Sequence, residues 1–317
     1  MIKAFQSLIE NANNKEILIE QRRIHEDLAL LIHLHCPSDI RCTQCINLHE
    51  SYNTQLFLCD VYETMANIIW LDENAQDSLL LNQQALEHIS SVVITYSSSS
   101  SEKSMELNLR NSSSSQQSLI QHRQSNPIIV GALYLLCFLL TPNSIHCTNA
   151  GSIHGLIEAL VVLAKLRKND YEQISNWKSE SDIRYWSNRN LNVMLQYGNI
   201  ELLKRILQEQ NIIRMQIDIL GSSEVRFDQD SMVVIGALIN IEQLYANLRY
   251  GNEVHQDLPV LVKFTDETVE EEGGLEEIES NSFHLLSGEF NNVQFHARVA
   301  VGVIINSKIS LQEQIQG

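Results

Sequence analysis

Glycine and proline are scarce, with 12 and 4 residues in a chain of 317. Sandwiches and barrels need turn residues at almost every strand end, and phosphate-binding α/β folds need clustered glycines. Both classes lose ground, and a helical chain is expected. Basic residues are also few, 22 Lys and Arg against 39 Asp and Glu, for a net charge of −17. A surface of that sign repels the phosphates of nucleic acid and anionic membrane and favours a basic partner. The longest uncharged apolar run, Ile128 to Leu140, has 13 residues, whereas a transmembrane helix needs about 20. The first residues lack the apolar core of a signal peptide, and six cysteines without one point to free thiols in a reducing, cytoplasmic setting. Enzyme signatures are missing as well. There is no G-x-S-x-G, G-x-x-x-x-G-K-[ST] or G-x-G-x-x-G, and neither His25-Glu26 nor His49-Glu50 is followed by a second histidine at metal spacing. The expectation is a non-enzymatic protein without a cofactor.

What remains is a chain 44% hydrophobic and 19% charged, enough to fold around a large core. It repeats itself. In Asn149-Ala-Gly-Ser-Ile-His-Gly-Leu-Ile-Glu-Ala-Leu160 a small-residue turn precedes Ile153, Leu156 and Leu160, spaced for the buried face of a helix, with Glu158 on the opposite face. The same pattern returns 47 residues later, with Gly198, Ile200, Leu203 and Leu207 in the places of Gly151, Ile153, Leu156 and Leu160. Looser copies without the glycine lie at 23–32 and 84–93. A second recurring element is an Ala-Leu-x-Asn-like segment inside a long apolar helix, at 64–67, 132–135, 237–240 and 300–303.

Met65-Ala-Asn-Ile-Ile, Gln84-Ala-Leu86 and Asn149-Ala-Gly-Ser-Ile153 together resemble the armadillo family of helical repeats, whose units run to about 42 residues. The resemblance implies an all-α, armadillo-like right-handed solenoid of about five degenerate repeats, covering roughly residues 13–305. It places second helices near 24–35, 85–96, 152–166, 199–208 and 256–264. Third helices fall near 55–70, 128–140, 182–190 (short or displaced), 231–249 and 293–305. Repeats would occupy 1–96 and 126–317, separated by a disordered insertion at 97–125, where 12 of 29 residues are serine. An acidic loop is expected over 265–290. Within the family, Asn126-Pro-Ile-Ile-Val-Gly-Ala-Leu, Ile145 to Gly151 and Asp230-Ser-Met-Val-Val-Ile-Gly-Ala-Leu238 look most like the armadillo-type GDP-dissociation stimulators of small GTPases. That likeness implies regulation of a Ras- or Rho-like GTPase through its basic tail. A generic scaffold, a nuclear-transport adaptor for a basic peptide and a zinc-stabilised interaction module stay open beside it.

The candidate partner-binding residues follow from that frame. Third helices line the groove of armadillo proteins, so the amides of Asn67 and Asn240 are candidates to bond a partner's backbone. Import receptors place a tryptophan four residues before such asparagines. Here Glu63 and Gly236 stand there, and only Trp186 with Asn190 keeps the spacing. Asp266 to Glu279 holds eight carboxylates in 14 residues, and Glu270, Glu271, Glu272, Glu276 and Glu277 are expected to attract a basic segment over long range. Cys36, Cys42, Cys45 and His49 offer four zinc-type ligands within 14 residues, and Cys42-x2-Cys45 has the gap that lets two thiolates share one ion. The competing reading makes the thiols small apolar residues.

Overall fold

The computed structural model describes residues 30–34, 36, 42, 43, 45, 46, 51–71, 73–109, 127–166, 180–222, 231–251, 256–283 and 291–316. A 3-10 turn, Leu30–His33, precedes thirteen α-helices among these residues. They are α1 Tyr52–Leu71, α2 Glu73–Gln83, α3 Ala85–Leu109, α4 Pro127–Leu140, α5 Ser144–Ser152, α6 Leu156–Ala164, α7 Glu180–Tyr197, α8 Ile200–Lys204, α9 Ile212–Ser222, α10 Ser231–Tyr250, α11 Pro259–Glu271, α12 Gly274–Asn281 and α13 Asn291–Gln316. A π-helical turn, Arg205–Glu209, follows α8. The only β pairing among the described residues is the single parallel bridge Leu34–Ile46.

Two layers account for the packing. In the front layer α1 lies on α4, α4 on α7, α7 on α10 and α10 on α13. In the back layer each helix packs on the front helix that follows it in the chain: α3 on α4, α6 on α7, α9 on α10 and α12 on α13. Helices α2, α5, α8 and α11 connect front to back. Two of the front pairs, α1 with α4 and α7 with α10, run parallel, because their contacts advance together: Asn67 meets Tyr134 while Trp70 meets Phe138, and Asn188 meets Asn240 while Asn192 meets Gln243. One continuous core runs from Ile32 to Ile304.

α4 shows why the layers form. It has no charged residue, and every residue except Tyr134 and Phe138 is buried, so it has neighbours on all sides but one. Its end is capped from outside. The Gln76 side chain, from α2, lies within hydrogen-bond distance of the carbonyls of Phe138, Leu139 and Thr141, groups that a terminating helix leaves without partners. On the side facing α1, Gly131 lets the backbones meet: a Cβ there would stand 2.9 Å from the Cys59 carbonyl oxygen.

Third helices were expected at 55–70, 128–140, 231–249 and 293–305, which fall on α1, α4, α10 and within α13, and second helices at 85–96 and 152–166, which fall on α3 and α6. The second helices expected at 199–208 and 256–264 fall instead on the connectors α8 and α11, the back helices there being α9 and α12. Further expectations also differ. The helix expected to be short, at 182–190, is α7 and runs from Glu180 to Tyr197. The turn sits at Ile153–Gly155 rather than at Gly151, which belongs to α5; Gly155, with φ 85°, opens α6. The acidic stretch is not a loop over the described 265–283. It forms the end of α11 and all of α12, because Leu261, Thr265 and Val269, and then Ile278, recur on buried faces, and Gly273 at φ 64° makes the bend between the helices. The serine-rich segment begins as a continuation of α3, to Leu109, where extending an existing helix costs far less than starting one. Residues 110–126 lie outside the described residues.

By length and hydropathy α10 is the one described helix able to cross a membrane. Half of that window is buried inside the fold, where α7 and α13 flank it.

The stripe read from the sequence around residue 156 can be tested here. Leu156 and Leu160 are buried and Ile153 half-buried, while Glu158 meets the Arg205 guanidinium at 2.8 Å on the surface side. Leu156→Ala should cost about 2–5 kcal/mol of stability. Glu158→Ala, which removes a part-exposed ion pair, should cost less than about 1 kcal/mol. Urea unfolding followed by circular dichroism separates the two. A Gly131→Ala chain, forced to part α1 from α4, should lose about 1–3 kcal/mol in the same assay.

Candidate partner-binding surface

Buried amides tie the front layer together. Asn190 Nδ2, on α7, donates to the Leu133 carbonyl of α4 at 2.8 Å and to its own helix at Trp186. Asn188, one residue pair earlier, offers Oδ1 to Asn240 Nδ2 of α10 and to Gln216 Nε2 of α9, both at 2.7 Å. Asn192 Nδ2 donates to Gln243 at 2.7 Å. Asn190 and Asn240, expected to reach a partner, are therefore inside the fold. Each sits on the helix face turned to a neighbour, and its donors are taken by that neighbour's backbone or side chain. Their role is to set helix register.

The outward face of the same helices carries aromatic rings. Trp70 of α1 meets Phe138 of α4 edge to face, with centroids 5.8 Å apart. Phe138 meets Tyr134 at 4.9 Å, Tyr134 meets Trp186 of α7 at 4.6 Å, and Trp186 meets Tyr185 at 5.0 Å, all near perpendicular. Such pairs hold one another at fixed angles beyond what burial alone would do. Trp70 is 72% exposed, and the other four are half-buried. The strip thus crosses three consecutive front helices and ends against α10 at Gly236, where an added Cβ would lie 3.8 Å from Tyr185.

Polar groups border it on α1. Asp60, Glu63, Asn67 and Trp70 follow one another at three- and four-residue steps along one face, none of them buried. The Tyr134 hydroxyl donates to Asn67 Oδ1 at 3.1 Å. Burial, and then the neighbouring Cys137 thiol, raises the Tyr134 phenol above its ordinary range, so it stays a donor at any physiological pH. The structure therefore brings Glu63, Asn67 and Trp186 to one surface and withdraws Asn190 and Asn240 beneath it.

The acidic residues form a separate surface. Glu270, Glu271 and Glu276 are exposed on α11 and α12, which pack on α9, α10 and α13 rather than on the helices that carry the aromatic strip. Glu272 reaches Arg214 at 3.3 Å, and half-buried Glu277 lies beside Gly221. Of the cysteine-rich candidates, Cys36, Cys42 and Cys45 converge, whereas His49 lies outside the described residues; His33 and His88 join the thiols instead.

Sequence reasoning missed Trp70, Tyr134, Phe138, Tyr185 and His88. Aromatic residues inside strongly apolar helices read as core, and their shared exposure depends on how the helices line up. A usable signal existed in α4, where Tyr134 carries the one hydroxyl of the run and Phe138 lies a turn further on the same face.

The chain matches no protein-family model and no curated protein.

A structural amide and a surface ring should respond differently to truncation. Asn190→Ala removes the donor to Leu133 and should lower stability by about 1–3 kcal/mol. Trp70→Ala, at an exposed position, should change it by less than about 0.5 kcal/mol. Thermal melts of the two variants check this, and a Trp70→Ala loss as large as that of Asn190→Ala would mean the strip is core rather than surface.

Proposed function

We propose that this chain is an armadillo-like helical-repeat scaffold that binds a protein partner bearing a basic segment, without catalysis, along the aromatic strip of its front layer. Support for the repeat reading comes from front helices packed in series, successive ones separated in the chain by a connector and a back helix. Such arrays present long open surfaces rather than closed pockets. The observation that carries the binding reading is the strip itself: five rings in edge-to-face contact over α1, α4 and α7, with Asp60 and Glu63 at their border. Tryptophan and tyrosine dominate the energetics of protein interfaces. Their faces also attract Lys and Arg side chains, most strongly when a carboxylate stands near.

A net charge of −17 draws a basic partner in from a distance. The exposed carboxylates of α11 and α12 contribute to that field, while contact falls to the aromatic surface. A Ras- or Rho-like GTPase with a basic tail is the partner class that the likeness to GDP-dissociation stimulators suggests, and accelerated GDP release is the activity that goes with it. All six cysteines are free.

The test is a stopped-flow titration against GTPases loaded with fluorescent GDP, at two salt concentrations. Binding with accelerated nucleotide release is expected. Association should slow as ionic strength rises, because charges farther apart than about 8 Å are screened at 0.15 M salt. Trp186→Ala and Trp70→Ala should each cost about 2 kcal/mol or more of affinity. Replacing Glu270, Glu271 and Glu276 with glutamine should slow association and leave dissociation nearly unchanged. Binding without nucleotide release would reduce the function to scaffolding. Affinity indifferent to both tryptophans would overturn the strip as the site.

A further inference from the structure

The segment before α1 brings nucleophilic side chains together from three places in the chain. His33 ends the 3-10 turn, Cys36 and Cys42 flank the next stretch, and His88 comes from α3, one turn inside its start. One ligand atom from each of these four lies within 4.8 Å of the others. His33 Nδ1 is 3.2 Å from Cys42 Sγ, and the Cys36 backbone N–H donates to Cys45 Sγ at 3.1 Å. The backbone around them is pinned: the Ile46 N–H donates to the His33 carbonyl at 3.1 Å, and Leu34 pairs with Ile46.

His88 makes the case specific. It is 3% exposed, on a helix face otherwise occupied by Ala85 and Ile89, and its Nδ1 has no hydrogen-bond partner among the described residues. An unmet imidazole nitrogen in such a place costs about 1–3 kcal/mol. Its ring stands perpendicular to that of His33, with centroids 4.7 Å apart. His33, at 7% exposure, is buried as well.

We propose that His33, Cys36, Cys42 and His88 bind one zinc ion, which staples the 30–46 segment to α3. Two thiolates and two imidazoles are a tetrahedral zinc set. Bond lengths of about 2.3 Å to sulfur and 2.0–2.1 Å to nitrogen set tetrahedral ligand atoms roughly 3.3–3.8 Å apart, so the widest separations in the cluster, up to 4.8 Å, must close while the 3.2 Å His33–Cys42 pair opens slightly. On binding, the two cysteine thiols each lose a proton to solvent and form Zn–S bonds, while the neutral imidazoles donate their lone pairs. The site is then electrically neutral, which suits its buried side. Cys45 sits outside this set, its sulfur held by the Cys36 N–H. The ion closes a loop from His33 to His88 and so ties the edge of the array, including buried Ile32, onto the core. This site is independent of the proposed partner surface.

The test uses the full chain without an affinity tag, purified under reducing conditions. Metal content after dialysis against zinc should be one ion per chain. Cobalt substitution should give tetrahedral d–d bands with two-thiolate charge-transfer intensity. Cys36→Ser, Cys42→Ser and His33→Ala should each weaken zinc binding by more than about 100-fold, while Cys45→Ser should weaken it by about 10–100-fold, as for a supporting group. Cys137→Ser and Cys147→Ser, at buried thiols elsewhere, should leave it unchanged. Far-UV circular dichroism of each variant separates loss of ligand from loss of fold. His88→Gln should lose the metal while keeping its helix. A folded chain that holds no zinc, zinc retained in folded Cys42→Ser and His33→Ala variants, or a Cys42–Cys45 disulfide in the reduced preparation would overturn the proposal.

Discussion

The close, dry packing of α4 between α1, α3 and α7 is the constraint on which the other contacts depend. Fourteen residues without a charge cannot be left in water, and their burial demands a helix on each side. Once α1 approaches through Gly131 and α7 through the Asn190–Leu133 bond, only one line of α4 faces outward. That line holds Tyr134 and Phe138. The aromatic surface is thus a by-product of how completely the helix is otherwise enclosed.

The buried asparagines extend the same logic down the array. An apolar helix can slide along an apolar neighbour at small cost, whereas an amide facing the wrong carbonyl is left unsatisfied. Asn188, Asn190, Asn192 and Asn240 therefore fix where α7 sits against α4, α9 and α10. Because Trp186 shares its helix with three of these amides, the same bonds that set register also set where its ring meets Tyr134.

Much of this fold was legible in the sequence. Segments such as Ile128–Leu140 and Ser231–Tyr250 announce themselves, since a long apolar stretch bounded by polar residues has few other ways to fold. The acidic segment misled because eight carboxylates mask the buried apolar positions Val269 and Ile278 among them; charge density describes the outer face of a helix and says little about its inner one. Glu63, Asn67 and Trp186, singled out through the spacing of a repeat, do share the outward surface. Asn190 and Asn240 belong to the same pattern but turn inward, a difference of rotation about the helix axis that no local pattern records. The thiols around Cys42 were visible as a group. His88, more than forty residues farther on in an apolar helix, could be joined to them only once the chain was folded.

The aromatic strip is not the same at its two ends. Trp70 projects into solvent on α1, and at the far side Tyr185 looks across to Gly236, where α10 has only backbone to offer. The strip stands proud of the surface at the α1 end and lies flush at the α7 end, where Tyr185 and Asn188 fill the space in front of Gly236. The surface therefore has a polarity along its length.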